Sequence, residues 1–220
     1  MNSYRIIEVS KKLSVGDIYG SIITHSFDDS SGFFVNKKRR DIVKASHVYK
    51  KLITKNIKDI EGNQEVVSYF DYIETKFNII SSDDKSYIVI IDPPRESKVF
   101  NNDLKKALPL FTSFKYISKK PKDFYLNLVK SGYDVKVNEI ELSNVNIRNK
   151  GLGRFAFSSD KDIYDEAMSF VNNKDYDIRY MILSIDDHLI KLKCKVNYTG
   201  MISMSDFNKE IFDVYLKCQP

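Results

Sequence analysis

The chain has 220 residues, 42% hydrophobic and 30% charged, enough to bury a core as one large domain or two small ones. No run reaches the roughly eighteen apolar residues of a membrane span, and the charged, alternating start of the sequence lacks the apolar stretch of a secretory signal. The formal net charge is +5, and two cysteines, Cys194 and Cys218, make neither a disulfide framework nor a zinc set, so a cytoplasmic protein without cofactor or metal is expected.

Residues 3–9 (SYRIIEV) alternate and predict a strand. Glycines and the cluster Asp28-Asp29-Ser30-Ser31-Gly32 punctuate the next stretch, and residues 32–35 (GFFV) form a short strand before the most unusual segment of the chain. From Asn36 to Lys58 nine Lys/Arg face a single acid, Asp41, so this window nets +8 and the remainder of the chain −3. Such a local excess points to a partner surface more strongly than a diffuse one. Arg40, Lys44, His47, Lys51, Lys55 and Lys58 are spaced four, three, four, four and three apart, which predicts one face of an amphipathic basic helix over about 40–60. Ile42, Ala45, Val48, Tyr49, Leu52, Ile53, Ile57 and Ile60 fall on the opposite arc. A hairpin turning at Lys37–Arg40 is the alternative.

Residues 66–80 and 86–92 predict strands, the second ended by Pro93 and Pro94, and residues 101–108 a helix. Beyond them the order is strand 110–118, helix 121–133, strand 134–142, strand 150–159, helix 160–173 and strand 177–186. A further strand, 188–196, and a closing helix, 205–217 with Ser205 as its cap, complete the chain. The expected fold is α+β. A β-rich region with the basic helix spans residues 1–108, and a ferredoxin-like (βαββαβ) region with an extra hairpin strand and closing helix spans 109–220. The two regions forming one compact domain is the alternative arrangement.

Four short motifs carry resemblances. "KGLGRFAF" (150–157) resembles the signature strand of RNA-recognition motifs in Lys150, Gly151, Gly153 and Phe157, but Leu152 and Arg154 stand where that family has its base-stacking aromatics. "NKGLGRF" is similar to the glycine-rich loop of CRISPR repeat-RNA endonucleases, without an assignable Tyr/His/Ser set. "VIIDPP" (89–94) resembles the amine-holding motif of amino-methyltransferases, with Arg95 in place of the aromatic residue and no glycine-rich cofactor turn. "ETK" (74–76) resembles the acid-x-Lys of restriction-type nucleases, with Asp59 as the partner acid, yet four other acid-x-Lys triplets occur in the chain.

The expected function is non-catalytic nucleic-acid binding, to RNA or DNA, with weak sequence preference. Lys37, Lys38, Arg39, Arg40, Lys44, Lys51, Lys55 and Lys58 would contact phosphates, with Arg148, Lys150 and Arg154 as a second contact. The plain alternative is a solvated helix face. An interaction module for an acidic protein, in a mobile-element or antiviral defence system, is the second functional reading. The abundance of Lys, Ile, Asn, Tyr and Phe against four alanines, the usage of an AT-rich genome, is its only support. A metal-dependent nuclease is the third.

Overall fold

The computed structural model describes residues 1–9, 13–39, 42–58, 60–62, 64–82, 85–147, 151–171, 175–187 and 190–218. It is sheet-rich, with eleven strands and five helices among these residues. The chain divides into two compact units, Ile7–Lys115 and Met1–Ile6 together with Tyr116–Pro220. Strand β1 (Asn2–Val9) runs through the division.

In the first unit, β2 (Ser31–Lys38), β3 (Ile42–Lys58), β4 (Gln64–Ser82) and β5 (Lys85–Ile91) lie side by side in that order, each antiparallel to the next. The basic segment is therefore a strand and not a helix, and the predicted helix over 40–60 is corrected. The hairpin alternative describes it: β2 and β3 pair around the turn, where Arg39 N donates to Ile42 O at 2.8 Å. All seventeen residues of β3 have partners on β4, from Ile42 opposite Ile80 to Lys58 opposite Gln64. Two causes favour the strand. Ile42, Val43, Val48, Ile53, Thr54 and Ile57 are β-branched and fit a pleated surface better than a helix. The buried residues Val43, Ala45, His47 and Tyr49 also recur every second position, the period of a strand with one face on a core.

That core lies under two helices. Helix α1 (Val15–Ile23) opens on a capping box, with Ser14 Oγ accepting from Asp17 N at 3.1 Å and Asp17 Oδ2 accepting from Ser14 N at 2.8 Å. It buries Val15, Ile18 and Ile22. Helix α2 (Lys98–Ala107) buries Phe100, Leu104 and Ala107. Phe100 meets Phe77 edge-on at 5.5 Å, and Phe33 meets both rings. The packing ends part-way along the β3–β4 hairpin. None of the described residues 50–58 and 64–74 is buried, so the outer nine residues of β3, roughly 30 Å at ~3.4 Å per residue, form a two-stranded ribbon wet on both faces.

In the second unit the strand order is β1, β11 (Ile202–Met204), β10 (Ile190–Asn197), β9 (Asp177–Asp187), β7 (Asp134–Asn146) and β8 (Leu152–Ser158), each antiparallel to its neighbour. Helices α3 (Pro121–Lys130), α4 (Tyr164–Phe170) and α5 (Lys209–Lys217) complete it. Phe124 of α3 meets Tyr215 of α5 edge-on at 5.4 Å. The helices stand where the sequence predicts them, although α5 is capped by Asn208, whose side chain accepts from Ile211 N, and not by Ser205. The sheet order differs from a ferredoxin-like sheet. The predicted strand 110–118 is reduced to β6 (Phe114–Tyr116), and it pairs with β1 and not between the strands that follow it. Ile117 N donates to Ile6 O at 2.9 Å just beyond it. β7 and β9 then pair directly with each other. Gly200 closes the β10–β11 turn at φ 82°, and a Cβ there would sit 2.3 Å from Ile117 O.

Candidate nucleic-acid interface

Directly opposed residues of an antiparallel ladder share a face, and successive residues alternate between faces. On β3, Val43, Ala45 and His47 face the core beneath the helices, so Lys51 and Lys55 follow on that core face. Lys44, Lys50 and Lys58 stand on the other, with Lys37 of β2 opposite Lys44 and Lys76 of β4 opposite Ser46. The stripe that a helix would have gathered is thereby split between two faces. Lys38 lies opposite Val43 and places its Nζ 3.9 Å from the Tyr19 ring of α1, while Arg39 is exposed in the turn. Arg40, Arg148 and Lys150 lie outside the described residues.

Counted over strands β2–β4, the two faces differ in charge, with a net of +4 on one and +1 on the other. The first, here the lysine face, carries Lys37, Lys44, Lys50, Lys58 and Lys76 on strands β2–β4 against one acid on these strands, Glu74, for a net of +4. Glu74 lies 3.7 Å from Lys76. On the outer core face Lys51 and Lys55 are balanced by Asp71 and Glu65, and Lys51 is further bound by Glu96 at 3.0 Å. That hydrogen bond and charge hold the Lys51 ammonium above its ordinary pKa.

The lysine face is also aromatic. Phe70 and Tyr72 are 57% and 55% exposed, Phe34 is 46% exposed, and Leu52 lies opposite Phe70. Lys50 Nζ stands 4.2 Å from the Phe70 ring centre. Phe27 joins the group from the α1–β2 connection. It stacks on Phe34 at 5.6 Å and 24°, and lies 6.3 Å from Tyr72. Gly32 makes room for it: a Cβ at Gly32 would lie 2.4 Å from Phe27 Cα, so only glycine lets the connection cross the strand this closely. Lys50, Lys76 and this row of rings escape a helical reading. The signal that finds them is the two-residue spacing of Phe70 and Tyr72 together with the alternation along β3.

His47 has a different role. It is fully buried, ringed by Phe33 at 5.0 Å and Phe100 at 5.6 Å, and its Nε2–H donates to Asp103 Oδ2 of α2 at 2.9 Å. Burial pushes its pKa down and outweighs the pull of Asp103, so the ring is neutral at neutral pH. Burial opposes ionisation of Asp103 too, yet hydrogen bonds from His47, Ser31 and Lys106 hold its carboxyl below the usual range. His47 Nδ1 and Thr75 Oγ1, on residues directly opposed, are buried without a hydrogen-bond partner.

In the second unit Arg154 is committed to a carboxylate. Its Nε and Nη2 donate to Glu141 Oε1 and Oε2 at 2.6 and 2.8 Å, and Glu141 is buried. This fork holds the Glu141 carboxyl below its ordinary pKa. Arg179 approaches the same Oε1 at 3.4 Å. The Tyr180 hydroxyl donates to Glu139, which raises its pKa to about 12. Phe155 and Phe157, from the octamer that resembles an RNA-recognition strand, pack on Phe170 of α4 at 4.8 and 5.3 Å. Those rings serve packing, and Arg154 neutralises a buried acid.

Glu74 of the acid-x-Lys triplet is exposed beside Lys76, and Asp59 lies outside the described residues. Among the described residues no three His, Cys, Asp or Glu side chains stand close enough to hold a metal ion, and no helix is long and apolar enough to cross a membrane. No protein-family model and no curated protein matches the chain.

Proposed function

We propose that this protein binds nucleic acid without acting on it chemically, through the lysine face of strands β2–β4. The observation that carries the reading is the segregation of charge over strands β2–β4, five lysines against Glu74 on one face, a net of +4, where the other face nets +1. A row of ammonium groups on an exposed strand pair follows a phosphate backbone, and neutralising phosphates releases counterions. Backbone contacts of this kind carry little sequence information, so sequence preference is weak. Lys37, Lys44, Lys50, Lys58 and Lys76 are the phosphate contacts. Lys51, paired with Glu96, and Arg154, paired with Glu141, are not. Cys194 and Cys218 are both free and buried, in keeping with a reducing compartment such as the cytoplasm.

Fluorescence anisotropy of labelled RNA and DNA, at low and physiological salt, tests this. Wild type is expected to bind with an affinity that falls steeply with salt. Lys44→Glu/Lys50→Glu/Lys76→Glu should reduce it by tenfold or more at low salt while the fold is retained by circular dichroism. The expected purified protein carries a high absorbance ratio that drops after a high-salt wash. Clean protein with a stoichiometric acidic companion, and no nucleic-acid binding, would assign the face to a protein partner instead.

A further inference from the structure

Resting on that reading, we infer that the nucleic acid is single-stranded and that its bases stack on a row of exposed rings, Phe70, Tyr72 and Phe34, which Phe27 holds together. Three observations lead there. Phe70, Tyr72 and Phe34 are about half exposed on the face that carries the lysines, although burying such rings would stabilise the fold. The protein also holds the row in place: Phe27 is carried over the strand at Gly32, where no side chain fits, and bridges Tyr72 at 6.3 Å to Phe34 at 5.6 Å. Cations lie among the rings, with Lys50 over Phe70 and Lys76 opposite Ser46, the residue that also pairs with Phe34.

The spacing of the row selects the form of the ligand. Phe70 and Tyr72 are two residues apart on one strand, which sets them ~6.8 Å apart at ~3.4 Å per residue. Phe27 continues the row, its ring centre 6.3 Å from that of Tyr72 and 5.6 Å from that of Phe34, on which it is itself stacked. Bases in a duplex rise only ~3.4 Å each and show their π-faces to one another, so a duplex can neither match this repeat nor offer a face to it. An extended strand with unstacked bases can do both. Stacking of this kind tolerates any base, because every base has a π-face. The lysines then take the phosphates on either side of the row.

Anisotropy with a labelled single strand and with the duplex of the same sequence, at one salt concentration, tests the inference. A single strand carrying 2-aminopurine reports stacking directly on the wild-type protein. Wild type should bind the single strand at least tenfold more tightly than the duplex and quench 2-aminopurine on binding. Phe70→Ala/Tyr72→Ala should lose at least tenfold in single-strand affinity while keeping the slope of log affinity against log salt. Lys44→Gln/Lys50→Gln should lower that slope by about two, one for each phosphate contact removed. Equal affinity for both forms, with no quenching and no effect of the aromatic substitutions, would overturn the stacking row and leave the phosphate contacts standing. Binding of neither form would overturn both.

Discussion

At the residue scale, His47 shows how a side chain counted among cations becomes a core group. Sequence spacing sets it in line with Arg40, Lys44 and Lys51, but its ring is sealed between Phe33 and Phe100 and is uncharged at neutral pH. The linkage has a definite sign. The folded-state pKa lies below the ordinary value of about 6.5, so the unfolded chain binds a proton more readily. Stability is therefore full above pH ~6.5 and declines as pH falls through that value towards the lower folded pKa. Asp103, whose pKa is also depressed, loses its contribution only further down, below the ordinary carboxylate range. The denaturation midpoint should be lower at pH 5.5 than at pH 7.5, and His47→Gln should flatten that difference. An unchanged midpoint across this interval would place the protonated ring comfortably in the core. No feature of the sequence separates His47 from its basic neighbours until the strand period is recognised.

At the element scale, the aromatic row depends on how the α1–β2 connection crosses β2. Gly32→Ala should cost ~1–3 kcal/mol, because the new methyl must push the Phe27 backbone away. It should also weaken nucleic-acid binding by displacing Phe27 from between Tyr72 and Phe34. Chemical denaturation and anisotropy on the same sample measure the two effects. Elements were unevenly legible in the sequence. Helices α2, α3 and α5 and strands β4, β5, β7 and β9 follow from apolar periodicity and punctuation. α1 is hidden because Gly16 and Gly20 read as loop residues, although Ser14 and Asp17 spell its capping box. β3 is misread because lysines at three- and four-residue spacing satisfy a helical period by position alone. What decides it is the pairing of all seventeen residues with β4, a non-local contact that no local window contains.

At the scale of the whole molecule, the excess of +5 is a poor guide until it is placed on a surface. The window from Asn36 to Lys58 carries +8, yet some of that charge is bound locally: Lys51 to Glu96, and Lys38 against Tyr19. The lysine face keeps a net of +4, half of it owed to Lys37 and Lys76 on the flanking strands. In the C-terminal unit Arg154 serves Glu141, and Phe155 and Phe157 pack on Phe170. Its predicted βαββαβ order failed at one strand. Residues 110–118 alternate as a strand should, but only Phe114–Tyr116 extend, and they pair with β1. Strand order depends on which partner a short segment meets, and alternation does not encode the partner.

The most direct test of the account compares the two faces of β3 at equal charge. The affinity of labelled single-stranded RNA would be measured against salt for wild type, for Lys44→Gln/Lys50→Gln and for Lys51→Gln/Lys55→Gln. Each variant removes two positive charges from the same strand, on opposite faces, and the second also releases Glu96 from Lys51. The account predicts that the first loses affinity and about two units of salt slope, while the second stays within about twofold of wild type. Equal losses from both variants would make β3 a diffuse cation with no oriented face. A loss confined to the second would put the interface on the wrong side of the strand.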